Sequence, residues 1–271
     1  PEGPLASLTL ESGSSSDASG TALAFEGFDV ETTGDLINNS SGSNNGLVLT
    51  SFGGTGSLTV GGRFLNSGTV IGNNSAVQLL VSGQLDNNSA GALNLAGADT
   101  VSVSNGVEND GSIDFSDFQR GVSVTGNTIR NRGAVDISNS RLTIGTNSSL
   151  AENGTSFDAS GSKVIFSGSD QVISGDGTEG DGTPDVTFYE VVLRNGTTVD
   201  PSQDIRVNEN LTVRLNNQWG SGDSEGANFT FSGVSFDVKQ DTNDPSNDAN
   251  FFSEAITFDG DNLDASETTI V

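Results

Sequence analysis

Carboxylates are the main chemistry-bearing side chains of this sequence. It holds 36 Asp and Glu against 10 Lys and Arg, with no His and no Cys, for a net charge of −26 over 271 residues. Two stretches gather acidic and amide oxygens. Residues 175–185 set Asp176, Glu179, Asp181 and Asp185 among glycines, and Asp241, Asn243, Asp244 and Asp248 crowd a second segment. Hard oxygen ligands so closely spaced suit Ca²⁺, which takes its ligands from carboxylates, carbonyls and water. Asp176, Asp181, Asp185, Asp241, Asn243, Asp244 and Asp248 are therefore candidate calcium ligands. The first loop lacks a D-x-D-x-D-G order and a closing bidentate Glu, so a solvated acidic insertion is the other reading.

The absent residue types close other routes. Without His or Cys there is no Ser-His-Asp or Cys-His nucleophile, no imidazole or thiolate zinc site, and no disulfide framework. A charge of −26 repels a phosphate backbone, so no nucleic-acid partner is expected. Paired carboxylates are the residue type of a glycosidase. Yet a catalytic coil would carry sugar-stacking aromatics, and the chain has one Trp, Trp219, and one Tyr, Tyr189. The cations are scattered, with only Arg130 and Arg132 close together, so the chain is expected not to be an enzyme. No apolar run reaches the about 18 residues that a membrane span needs. The opening Pro1-Glu2-Gly3-Pro4, without Met, reads as the product of a removed leader and hence as an exported protein.

The elements that must position these groups follow from a repeat. Hydrophobic residues make up only 32% of the chain and glycine supplies 36 positions, a composition that would suggest disorder if the apolar residues were not so regularly placed. The pairs Leu58/Val60, Leu79/Val81, Val101/Val103, Val122/Val124, Leu142/Ile144 and Val164/Phe166 recur every 20 to 22 residues, and most are followed closely by a glycine. A second column, Gly46, Gly68, Gly91, Gly111, Gly133 and Gly154, keeps a similar spacing. Two residues after five of these stand Val48, Val70, Leu93, Ile113 and Val135. A third column runs Leu65, Leu85, Val107, Ile129 and Leu150. Alternation closed by Gly is a short strand ending in a corner. Each repeat thus reads as three strands and three corners.

The expected fold is all-β: a parallel β-solenoid with three short strands per coil of about 21–22 residues, coils stacked about 4.8 Å apart. Inward residues of the alternating strands fill a narrow core, which is why so few apolar residues suffice. Asn, Gly, Ser and Asp then belong to the corners, where positive φ and side-chain-to-backbone hydrogen bonds are needed. The corners Asn66-Ser67-Gly68, Asn109-Asp110-Gly111 and Asn131-Arg132-Gly133 are placed to stack their amides in a ladder. On the outer side, Asn94, Asp114 and Asp136 fall in one column, where like charges about 5 Å apart need a bridging cation or open water. A β-sandwich is the alternative, but a sandwich rarely holds three columns in step over so many repeats.

From Lys163 onward the motifs carry a family resemblance. Val164-Ile165-Phe166-Ser167-Gly168, Gln171-Val172-Ile173-Ser174-Gly175, Val186 to Leu193, Asn195-Gly196-Thr197 and Asp204 to Val213 resemble the F-x-G…Q-x-I-x-G…N-G…I-x-V-x-x-x-L-T-L repeat of large secreted Bacteroidetes-type surface proteins. The Asn-x-Gly coils are similar to those of filamentous haemagglutinin-like adhesins. The resemblance spans roughly residues 40 to 217 and implies a β-helical adhesin or cell-surface stalk. The acidic turn at 175–185 is longer than that pattern has, and the last 54 residues fit no such repeat.

Three segments are expected: an N-terminal cap or assembly segment at 1–35, the solenoid at 36–217, and a C-terminal β cap or assembly segment at 218–271. The expected role is that of an extracellular structural protein at the cell surface, a subunit of a fibre, sheath or stalk. Its partners would be copies of itself in a homopolymer joined by end-to-end or strand-exchange contacts, with calcium or salt screening the charge. The alternative role is an adhesin or carbohydrate-binding protein that uses the solenoid as a spacer. Surface glycans would then meet an exposed aromatic platform at Trp219, Phe251 and Phe252.

Overall fold

A computed structural model describes residues 3–11, 23–26, 29–40, 46–50, 56–72, 77–118, 120–150, 155–168, 171–174, 186–194, 198–201, 205–213, 218–219, 228–231, 235–238, 250–251 and 255–258. These residues form the expected parallel β-solenoid, and every pair of neighbouring strands in it runs parallel. From Leu8 to Phe166 each coil contributes one strand to each of three sheets, and beyond Phe166 the described strands belong to the first and third.

The first sheet stacks β1 (Leu8–Glu11), β4 (Leu36–Asn39), β7 (Phe64–Asn66), β10 (Leu85–Asn87), β13 (Val107–Asn109), β16 (Ile129–Asn131), β19 (Ser148–Ser149), β22 (Gln171–Ser174), β24 (Thr198–Pro201), β26 (Gln218–Trp219) and β29 (Asn250–Phe251). The second holds β2 (Leu23–Glu26), β5 (Gly46–Thr50), β8 (Thr69–Ile71), β11 (Ala92–Asn94), β14 (Ser112–Asp114), β17 (Ala134–Asp136) and β20 (Phe157–Asp158). The third runs through β3 (Val30–Thr32), β6 (Gly56–Val60), β9 (Val77–Val81), β12 (Thr100–Val103), β15 (Gly121–Val124), β18 (Arg141–Ile144), β21 (Lys163–Phe166), β23 (Val186–Leu193), β25 (Ile205–Val213), β27 (Asn228–Phe231) and β30 (Ala255–Phe258), with β28 (Ser235–Val238) also on β25. Strands of both terminal segments, 1–35 and 218–271, thus join the same sheets.

The core is the stack of inward columns. Leu58, Leu79, Val101, Val122, Leu142 and Val164 follow one another in register, as do Val60, Val81, Val103, Val124, Ile144 and Phe166, and all are buried. Burying such a branched side chain is worth about 1.5–3 kcal/mol, so each coil brings several stabilising residues despite its small section. The third column differs from the expected one at both ends. Phe64 lies in register with Leu85 and is fully buried, while Leu65 faces outward, because two adjacent apolar residues leave the alternation ambiguous. At the other end Ser148, not Leu150, pairs with Ile129.

The glycines of the second column are there because of packing. An added Cβ at Gly111 would lie 2.2 Å from the Gly91 carbonyl oxygen, and one at Gly133 would lie 2.0 Å from that of Gly111. Coils meet so closely here that no side chain fits. Left-handed backbone recurs instead at another corner, between the second and third sheets, besides Gly106, Gly121 and Gly126 elsewhere. Gly97, Asp117, Asn139 and Gly161 have φ of 72°, 56°, 52° and 65°. Around three of them a backbone N–H closes a four-residue turn, from Ala98 to Leu95, Ser140 to Ile137 and Ser162 to Ala159, at 3.0, 3.2 and 3.0 Å. A positive φ at the third turn residue selects Gly, Asn or Asp.

Candidate functional site

The stacked corners place three rows of polar side chains. The innermost is a ladder of five buried asparagines, each on a first-sheet strand. Asn38 Nδ2 donates to Asn66 Oδ1 at 2.8 Å, Asn66 to Asn87 at 2.7 Å, Asn87 to Asn109 at 2.8 Å and Asn109 to Asn131 at 2.8 Å. The second Nδ2 proton is used as well, on the Thr69, Ser112 and Ala134 carbonyls for Asn38, Asn87 and Asn109. The oxygens of Asn66, Asn109 and Asn131 also accept the N–H groups of Gly68, Gly111 and Gly133. At the far end Asn131 Nδ2 donates to the Leu150 carbonyl at 2.8 Å. A buried amide is tolerated only when its donors and acceptors are met, and here they are met by the neighbouring coils. The ladder expected from the Asn-x-Gly corners is present, and two members lack that motif. Asn87 is followed by Asn88-Ser89-Ala90 before Gly91, but its distance of 21 residues from Asn66 and 22 from Asn109 was a usable signal.

The residue that follows each ladder asparagine makes a second row. Asn88 Nδ2 donates to Ser67 Oγ at 2.8 Å, and Arg132 grips Asp110 with two bonds of 2.6 and 3.0 Å. That hydrogen bond holds the Asp110 carboxyl below the usual carboxylate value, desolvation pulls the other way, and the Arg132 and Arg130 charges add to the lowering. Other cross-coil ion pairs join Arg63 to Asp86, Arg120 to Asp99 and Lys163 to Glu190. Asp86 also accepts from Gln84 Nε2 at 2.6 Å, and Asp99 from Gln78 Nε2 at 2.9 Å, so both buried carboxylates are satisfied.

The third row is the outer acidic column. The register places Asn94, Asp114 and Asp136 on successive second-sheet strands, as expected, and adds Asp158. Each aspartate spends one oxygen on its own chain: Asp114, Asp136 and Asp158 accept the N–H of Ser116, Ser138 and Ser160 at 3.1, 2.8 and 2.9 Å. These bonds close the corner, which gives the column a structural use independent of any cation.

The candidate calcium ligands Asp176, Asp181, Asp185, Asp241, Asn243, Asp244 and Asp248 lie outside the described residues. Among the described residues no group of three or more acidic side chains is arranged to hold a metal ion, and no helix is long and apolar enough to cross a membrane. Of the expected aromatic platform, Trp219 stands on β26 and Phe251 on β29, while Phe252 lies outside the described residues. No family model, curated protein or solved structure matches this chain.

Proposed function

We propose that the chain is an extracellular structural protein of the kind its repeats resemble: a β-solenoid subunit of a cell-surface fibre, sheath or stalk, without catalytic activity. The observation that carries this reading is the translational stack itself. Successive coils repeat the same backbone pairing and the same amide ladder, and a parallel stack of this kind has no geometric limit. Leu8 and Leu10 are only half-buried where Leu36, one coil on, is wholly enclosed, so among the described residues the first strand keeps apolar surface that a further coil would bury. In this reading copies join end to end, and the charge of −26 makes joining depend on salt or on Ca²⁺ held by the acidic segments.

Electron microscopy of the purified chain in millimolar calcium and in chelator tests this. Filaments that dissolve in chelator are expected. Single short rods in both conditions would overturn the proposal and pass the role to an adhesin that carries its recognition elsewhere, to be sought by glycan-binding screens.

A further inference from the structure

The charge of this protein is unevenly shared among its three faces. The second sheet shows the column Asp114, Asp136 and Asp158 to the outside, and the outward-facing column of the first holds Asp86, itself buried by its partners, then Glu108 and Arg130. The third sheet differs. From β6 to β18 its central outward column reads Thr59, Leu80, Ser102, Ser123 and Thr143, and the flanking column reads Ser57, Gln78, Thr100, Gly121 and Arg141. Five consecutive strands therefore present no Asp or Glu at an outward position, in a chain with 36 of them. The side chains are short, and apart from Arg141 all are at least half-buried by their neighbours, so the face is level. Carboxylates flank the face: exposed Glu31 stands in register with Thr59 one strand beyond it, Asp29 accepts from Ser57 N and Oγ, and buried Asp99 binds Gln78 and Arg120.

We propose that this face of the third sheet, from Ser57 to Thr143, is a lateral docking surface for the same face of a second copy. Two copies at −26 each repel wherever their acidic groups approach, and among the described residues this face is the longest outward run of strands without Asp or Glu. Level sheets carrying Ser, Thr, Gln and Leu stack face to face at about 10 Å. A two-fold axis near Ser102 would bring each column onto its counterpart. Five strands about 4.8 Å apart and about four residues long offer only about 250–300 Å², well below the roughly 800 Å² per partner of a stable pair. The contact is therefore brief between single rods and adds up between long ones. It goes beyond end-to-end growth and does not need it.

The absence of cysteine makes a trapping experiment clean. Ser102→Cys and, separately, Ser123→Cys place one thiol on the proposed face, and Ser112→Cys places one on the outer side of the second sheet. Ser112 is exposed and Ser102 half-buried, so simple accessibility favours the control. With the full chain and a bis-maleimide linker of about 10 Å reach, cross-linked dimers are expected at least about tenfold faster from Ser102→Cys than from Ser112→Cys, since facing sheets stand about 10 Å apart. Adding Ser123→Glu to Ser102→Cys should bring the rate down to the control. Equal or faster linkage through Ser112→Cys, or no dimer from either face position, overturns the proposal. Filament length in the microscope reads end-to-end joining separately, so failure of one does not mask failure of the other.

Discussion

The coils between Gly56 and Phe166 and the two long strands β23 and β25 enclose the same kind of core by different routes. In the first region the chain leaves the second sheet after β11, β14, β17 and β20, turns each time through a left-handed residue and enters the third. In the second region β23 runs straight on. Glu190 to Leu193 pair with β21, while Val186 to Phe188 reach the level of β20, where Phe188 meets the Phe157 and Phe166 rings at 6.2 and 6.0 Å, both edge-to-face. The corner at 159–162 is replaced by a bulge between Phe188 and Glu190 that turns Tyr189 outward. Composition explains the change. Val-Thr-Phe-Tyr-Glu-Val-Val-Leu contains no Gly, Asn or Asp able to take the left-handed turn, and its branched and aromatic residues favour a continuous strand. A solenoid corner is thus a local backbone decision, made coil by coil, while the inward apolar residues keep their places.

The largest expected effect breaks the ladder that only the first region has. Asn87→Leu strands the Asn66 amide donor and removes the bond to Asn109, and should cost about 3–4 kcal/mol in denaturant unfolding. Asn208→Ala, at an exposed position of β25 whose Oδ1 accepts from Arg206 Nε at 2.9 Å in solvent, should change stability by less than about 1 kcal/mol. Next, the corner is tested by Gly161→Val, where a branched residue meets both a φ of 65° and Asn139 Oδ1 at 2.5 Å; about 2–3 kcal/mol should be lost. Gly97→Ala, with open space around its Cβ, should cost only about 1 kcal/mol for the backbone. In the opposite sense, Ser148→Val should raise stability by about 1 kcal/mol, since the Ser148 hydroxyl is buried without a partner in an otherwise apolar column.

The smallest effect concerns Asp110. Its folded pKa is lowered, so its contribution is complete above the usual aspartate range and is lost as pH falls through the folded value. The carboxylate is over one third exposed, and solvent screening keeps the contribution modest. Arg132→Gln should flatten the acid limb of a stability–pH curve below about pH 4, read by thermal melting. An unchanged limb would assign acid sensitivity to other carboxylates.

Much of this fold could be read from the sequence because period and alternation are the geometry. The columns at Leu58/Val60 and Gly68, the ladder at Asn66, Asn109 and Asn131, and the acidic column at Asp114 and Asp136 all follow from counting. What counting missed depends on atoms that a pattern does not show. Phe64 rather than Leu65 turns inward because the neighbouring coils fix the register. Asp110 meets Arg132 because two different residues occupy the same corner position one coil apart. Gly111 is glycine because of a carbonyl 2.2 Å from its missing Cβ, and not because of its φ. The candidate calcium segments at 175–185 and 241–248 were legible only as composition.

The asparagine row has a direction. All five side-chain amides point the same way, each giving a proton to the next coil, so their dipoles add along the rod axis. One end of the row is an oxygen, answered by Ser40, and the other is an N–H, answered by a carbonyl. The core is therefore an arrow, with a head that a tail can follow and another head cannot. Two rods laid side by side with their arrows opposed would cancel, and two laid alike would sum, so the sense in which neighbours lie decides whether a bundle carries a net dipole.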